Sequence, residues 1–226
     1  MMRASVFVCA VGTVLCLMCT LGTAADVSTV PINSMADFWG MYTTAQNGFS
    51  FDVELNCDLD FADQTRTMEP LGTDISGTTK YPYNGKFNGN GHTVRNLKIQ
   101  SEEAGFFGAL GNATVHDLSF DSTCTFTGNY AGALAARTSN AFQVEILNVH
   151  SAANVNGRDV TGGLIGVIDA QSQTIPSIRN CVVTGNVQST VSSAGVYSAA
   201  GGIVGRVNAV VGAHAFFFSC VKTVEM

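Results

Sequence analysis

The stretch that decides the fold is Tyr83-Asn84-Gly85-Lys86-Phe87-Asn88-Gly89-Asn90-Gly91-His92-Thr93-Val94-Arg95-Asn96-Leu97-Lys98-Ile99, closed by Gly105-Phe106-Phe107-Gly108. It holds two short apolar strands, a run of glycine turns and an asparagine corner. Val94 and Leu97 are three residues apart, yet both have the character of core positions. In a straight strand residues two apart share a face, so the chain must bend between them. Asn96 supplies the bend, because Asn and Asp tolerate left-handed backbone angles and bond their neighbours' backbone.

The pattern returns along the chain, and a repeat takes priority in a reading. Val94-Arg95-Asn96-Leu97-Lys98-Ile99 aligns with Val115-His116-Asp117-Leu118-Ser119-Phe120, with Ile146-Leu147-Asn148-Val149-His150-Ser151 and with Ile178-Arg179-Asn180-Cys181-Val182-Val183. Phe217-Phe218-Ser219-Cys220-Val221 is a weaker copy. Corners of one kind predict stacked coils, with Asn96, Asp117, Asn148 and Asn180 as a ladder up one edge. Between the corners lie short apolar pairs: Gly105-Phe106-Phe107-Gly108, Gly132-Ala133-Leu134-Ala135, Gly163-Leu164-Ile165-Gly166 and Gly202-Ile203-Val204-Gly205. These read as buried strands bounded by turns. The unequal repeat length is assigned to loops, Asp121–Tyr130 and Asp169–Pro176 among them.

The quartets resemble the GLUG-motif family, whose name describes a Gly-Leu-apolar-Gly repeat. Gly163-Leu164-Ile165-Gly166 matches in full, and the quartet at Gly132 departs at Ala135. The segment Phe87-Asn88-Gly89-Asn90-Gly91-His92-Thr93-Val94 is also similar to the lead-in of such repeats. The resemblance covers most of residues 30–222. It implies an all-β fold, a right-handed parallel β-helix (solenoid), carried by exported and surface proteins and sometimes placed beside an enzyme domain. It implies no catalytic residues; no cofactor is expected.

Each coil of such a fold buries its apolar residues only against its neighbours. At the usual strand spacing, roughly six coils give a rod about 25–30 Å long. Val94, Leu97, Phe106, Val115, Leu118, Leu134, Ile146, Val149, Leu164, Ile178 and Ile203 are the expected core. Upstream, a short helical segment is expected within Val30–Tyr42, with Ser34 as N-cap and Met35, Phe38, Trp39 and Tyr42 on one face. Phe51 to Phe61 alternates strictly between apolar and polar residues, as a strand buried on one face does.

The bulk numbers agree. Charged residues are 12% of the 226 and hydrophobic ones 46%, which excludes a disordered chain. The 24 glycines against 4 prolines suit many small turns. The net charge of −6, without a Lys/Arg cluster, argues against nucleic acid. Residues 1–25 read as a cleaved signal peptide: Arg3, an uncharged apolar run to Cys19, then Gly22-Thr23-Ala24-Ala25. Residues 26–226 are then one secreted or cell-surface domain without a transmembrane segment. No polar cap is visible after the last repeat, so a shortened chain or an end-to-end contact through the C-terminal coil is expected.

Four cysteines remain in the exported part: Cys57, Cys124, Cys181 and Cys220. Cys181 and Cys220 share a repeat position, which allows either a disulfide or two packed thiols. Asn112-Ala113-Thr114 is a glycosylation sequon. Asp58 and Asp60, with Asp63 nearby, could ligate Ca²⁺, although a solvated strand face explains them better. The histidines, at 92, 116, 150 and 214, do not recur at one repeat position, and Gly89-Asn90-Gly91 and Gly162-Gly163 lack the helix and Lys-Ser/Thr of a phosphate loop. Arg95, His116, Leu147 and Arg179 form an outward column that shows no acidic partner column. These features favour a non-catalytic β-helix that presents its surface to a glycan or an extracellular protein. The alternatives are a polysaccharide lyase-like enzyme, for which the fold alone would be the analogy, and a remnant of a longer surface protein.

Overall fold

A computed structural model describes residues 28–45, 50–63, 68–72, 82–139, 143–170, 176–190, 199–209, 216–218 and 220–222. The described residues form a parallel β-solenoid with one short helix. Every strand pairing is parallel, and each strand meets its counterpart from the next coil.

Three sheets make the walls. The first has 11 strands; its main path runs Thr29–Ile32, Asp52–Leu55, Lys86–Asn88, Ala113–Phe120, Val144–Ser151, Ser177–Arg179 and Phe216–Phe218. The second has 6 strands and is centred on Thr125–Ala131 and Asn154–Gly162. The third has 4: Phe107–Leu110, Ala135–Thr138, Ile165–Ala170 and Val204–Ala209. The third wall closes about four turns rather than six, and the earlier coil meets it only through single bridges, Leu71 to Phe107 and Tyr83 to Leu110.

Several sequence expectations are corrected. Phe51–Phe61 is not one strand: it is Asp52–Leu55 and Leu59–Asp60, with a corner between them. The alternation survives the corner because Val53, Leu55, Leu59 and Phe61 all still reach the core. Asp121–Tyr130 is not a loop but carries most of a strand of the second sheet, and Asp169 ends within Ile165–Ala170. Residues 171–175 lie outside the described residues.

The repeat phase also shifts. Phe87 pairs with Val115, and Val94 pairs with Phe120. Val94-Arg95-Asn96 therefore belongs one corner later than Val115-His116-Asp117. The counterpart of Asp117 in that earlier coil is the tight turn Gly89-Asn90-Gly91, where Asn90 and Gly91 have φ of 53° and 79°. In the third sheet Phe107, Ala135, Ile165 and Val204 stand in register. The second quartet is thus Ala133-Leu134-Ala135-Ala136, one residue later than the glycine spacing suggests. Gly132 is the partner of Gly162 instead, a position where any Cβ would overlap backbone of the next coil.

The helix Met35–Ala45 closes one side of the first coils. Ser34 caps it: its Oγ accepts from the Asp37 N–H at 3.2 Å, and the Asp37 carboxylate accepts from Asn33 N–H at 3.0 Å. Phe38 and Met41 are its buried anchors, with Met35, Trp39 and Tyr42 half-buried. Phe38 packs on Phe106, which also meets Phe87, Phe107 and Phe120 with ring centroids 5.1 to 5.7 Å away. Each such ring adds roughly 1.5–3 kcal/mol through burial. The expected core residues are all fully buried except Ile203, which is half-exposed where it packs on the last coils.

Candidate functional site

The second sheet carries two outward columns on either side of one inward column. Ile99, Phe126 and Val155 point to the core. The alternate residues Lys98, Thr125 and Asn154 form one outer column, and Gln100, Thr127, Asn156 and Gln188 form the other. Opposite glycines, Gly128 and Gly157, end this polar strip. A Cβ at Gly128 would overlap the Ser101 carbonyl oxygen, and one at Gly157 would overlap Thr161 Oγ1. Only glycine lets the chain pass that close. Over this turn lies an open cleft of about 570 Å³ that spans successive coils. Six of the ten residues that line it carry an amide or a hydroxyl, and the charges of Glu102 and Arg158 cancel. Such a wall can donate and accept hydrogen bonds at every rung.

The ladder residues separate into two sets. Asn148 Nδ2 donates to Asp117 Oδ1 at 2.8 Å, and Asn180 Nδ2 donates to Asn148 Oδ1 at 2.5 Å. Their φ angles are 56°, 53° and 50° for Asp117, Asn148 and Asn180. Asn96, with φ of 57°, stands apart from them: its Nδ2 donates to Asp60 Oδ1 at 2.8 Å. Hydrogen bonds from His116 and then Asn148 hold the Asp117 carboxyl below its usual range. The Asn96 amide does the same for Asp60.

Asp58 accepts from the Thr93 N–H at 2.9 Å, its main cause of a lowered pKa, and from His92 Nδ1 at 3.1 Å. Its second oxygen meets the Arg95 guanidinium at 3.0 Å. Protein donors therefore engage both oxygens of Asp58 and the Oδ1 of Asp60. No group of three or more His, Cys, Asp or Glu among the described residues could hold a metal.

The basic outer residues have individual acidic partners, which do not form one register column. Arg95 Nε lies 3.8 Å from Asp121, His116 Nδ1 lies 2.7 Å from Asp117, and Arg179 pairs with Glu145. Arg95 also leaves the column, which runs Asn88, His116, Leu147 and Arg179. The Arg95 and Arg179 pairs run between coils, whereas His116 bonds its own chain neighbour.

Sequence reasoning missed one charged group. Glu103 is only 3% exposed and pairs with Arg137 Nη2 at 2.5 Å. Arg137 also lies 5.1 Å over the Tyr130 ring and 3.5 Å from Asp169, whose Oδ1 accepts from Asn208 Nδ2 at 2.7 Å. The one available signal was an arginine inside the apolar run Ala133-Leu134-Ala135-Ala136-Arg137.

Cys181 and Cys220 face each other from adjacent coils, since Val182 pairs with Val221. Neither is in a disulfide, and burial pushes the Cys181 thiol up to about 12. Asn112 is exposed at a corner, where its Oδ1 accepts from the Gln143 N–H at 3.2 Å. His150 is exposed, while His214, the side chains of residues 216–218 and the leader all lie outside the described parts.

The stacked parallel sheets and amide corners define the chain as a parallel β-solenoid repeat protein. No family model matches it. It is similar to halomucin of Haloquadratum walsbyi, at 31% identity over 155 residues, or 66% of this chain. The chain spans only 2% of halomucin's length. Its fold is also similar to a Bacteroides ovatus protein described as a candidate immunoglobulin A1 protease. That match has a TM-score of 0.68 at 20% identity, and covers 89% of this chain and 58% of the other. No helix among the described residues is long and apolar enough to cross a membrane.

Proposed function

We propose that the chain is an exported, non-catalytic ligand-presenting module, built on GLUG-like repeats and held at or near a cell surface. The observation that carries the reading is the outer wall of the second sheet. One of its columns, Gln100, Thr127, Asn156 and Gln188, is a regular array of neutral amides and a hydroxyl beside an open cleft. A catalytic site needs an acid or base poised toward a substrate. Here Asp58 with Arg95, Asp117 with Asn148 and Glu145 with Arg179 are engaged in coil-to-coil bonds. The likeness to halomucin supports the repeat-protein setting, and the apolar run at residues 4–19 supports export.

The full chain, produced by secretion, tests this with neutral and acidic polysaccharides and with extracellular matrix proteins. Saturable binding with no change in polysaccharide chain length is the expected result. Release of shortened or unsaturated products, or binding to none of these ligands by folded protein, overturns it.

A further inference from the structure

We propose that the cleft on the second sheet binds a neutral polysaccharide chain lying parallel to the solenoid axis. The inference rests on the ligand-presenting reading and names the ligand class and the place. Gln100, Thr127, Asn156 and Gln188 occupy one register column on four successive coils. Their side chains are exposed or half-exposed. The column extends about 14 Å at the usual strand spacing, room for roughly three sugar rings in line.

The chemistry selects among polymers. A sugar ring offers hydroxyls that both donate and accept, and amide and hydroxyl side chains answer in both senses. An acidic polymer calls for an excess of Lys and Arg, whereas the cleft sets one guanidinium, Arg158, against one carboxylate, Glu102. A protein interface calls for apolar or aromatic anchors at its centre. Among the described lining residues there is no aromatic ring and no large aliphatic one. Without a stacking platform, each ring is held by hydrogen bonds exposed to water, so single sugars bind weakly. Attachment then comes from several rungs acting on one chain.

Calorimetric titration of the full secreted chain with neutral glucan, mannan and galactan oligosaccharides of two to six units tests this. Polygalacturonate and a soluble matrix protein serve as competing ligands. At least one neutral series should bind, with affinity rising steeply to three or four units and then levelling. Asn156→Ala should weaken binding about tenfold or more, with melting unchanged, and Arg179→Ala on the first sheet should not affect it. Thr127→Val, close in shape to the native residue, repeats the test should Asn156→Ala not fold.

Preference for polygalacturonate, binding of the matrix protein alone, affinity independent of length, or wild-type affinity in folded Asn156→Ala or Thr127→Val overturns the assignment. Those outcomes leave the presenting module standing with another ligand or face. Product release, or no ligand at all, removes the module reading itself.

Discussion

Asn148 and Asp117 occupy the same left-handed corner in successive coils, and the Asn148 amide donates to the Asp117 carboxylate at 2.8 Å. Asn148 in turn accepts from Asn180. One side chain therefore joins three coils while its own backbone sits where most residues are strained. Asn148→Leu loses both bonds and adds a strained backbone, about 3 kcal/mol together. Asn148→Gly removes the bonds but not the backbone fit, and should lose about half as much. Arg95→Ala removes exposed ion pairs with Asp58 and Asp121 and should cost less than about 1 kcal/mol. Urea midpoints for the three variants decide the order, and equal midpoints for Asn148→Leu and Arg95→Ala contradict the ladder.

Arg137 neutralises the buried Glu103. Removing one partner of a buried pair leaves a charge without compensation, at about 3–5 kcal/mol. Arg137→Met should therefore lower stability sharply. The double variant Arg137→Met, Glu103→Leu should recover most of that loss, since the fully buried carboxylate is gone and Asp169 keeps its bond from Asn208. A double variant no more stable than Arg137→Met contradicts the account.

Asp58, Asp60 and Asp117 all have lowered carboxyl pKa values. A group depressed in the folded state adds stability that is fully present above its unfolded value, about 3.9 for Asp. That stability is lost as pH falls through the depressed folded value. Denaturation midpoints should stay level from neutral pH to about 5, then fall below about 4. Asp117→Asn keeps an acceptor for Asn148 but removes one titrating group, so its decline in acid should be shallower. Parallel acid profiles for the two proteins contradict this.

Cys124 and Cys181 are fully buried, and burial pushes both thiols up to about 12. At pH 8 only on the order of one in ten thousand is the reactive thiolate. Mass spectrometry after brief alkylation of native protein should find Cys124 and Cys181 unmodified. The half-buried Cys57 and Cys220 should be labelled before either. Rapid alkylation of Cys181 contradicts this packing. A Cys181–Cys220 cross-linked peptide after mild oxidation would show instead that the two coils can be stapled.

The corners and the core were legible because a left-handed Asn and a buried aliphatic each leave a local mark on sequence. Asp117, Asn148 and Asn180 fall into one ladder for that reason. Asn96 did not join it, because successive coils differ in length and a local pattern cannot tell one corner from the next. The second sheet stayed hidden for a different reason. In Thr125-Phe126-Thr127 a single residue faces inward, which is too little alternation to separate a strand from a loop. The polar cleft therefore passed as connecting chain. Glu103 and Arg137 are separated in sequence by a whole coil, and nothing local marks either as the other's partner.

Every coil pairs only with the one before and the one after, in parallel register. Under tension applied along its axis, such a stack has no single cooperative lock. It should yield one coil at a time, as a series of small force steps, and re-form coil upon coil when the load is removed. The Phe38–Phe106 ring cluster, where helix and several coils meet, is where that unravelling should pause.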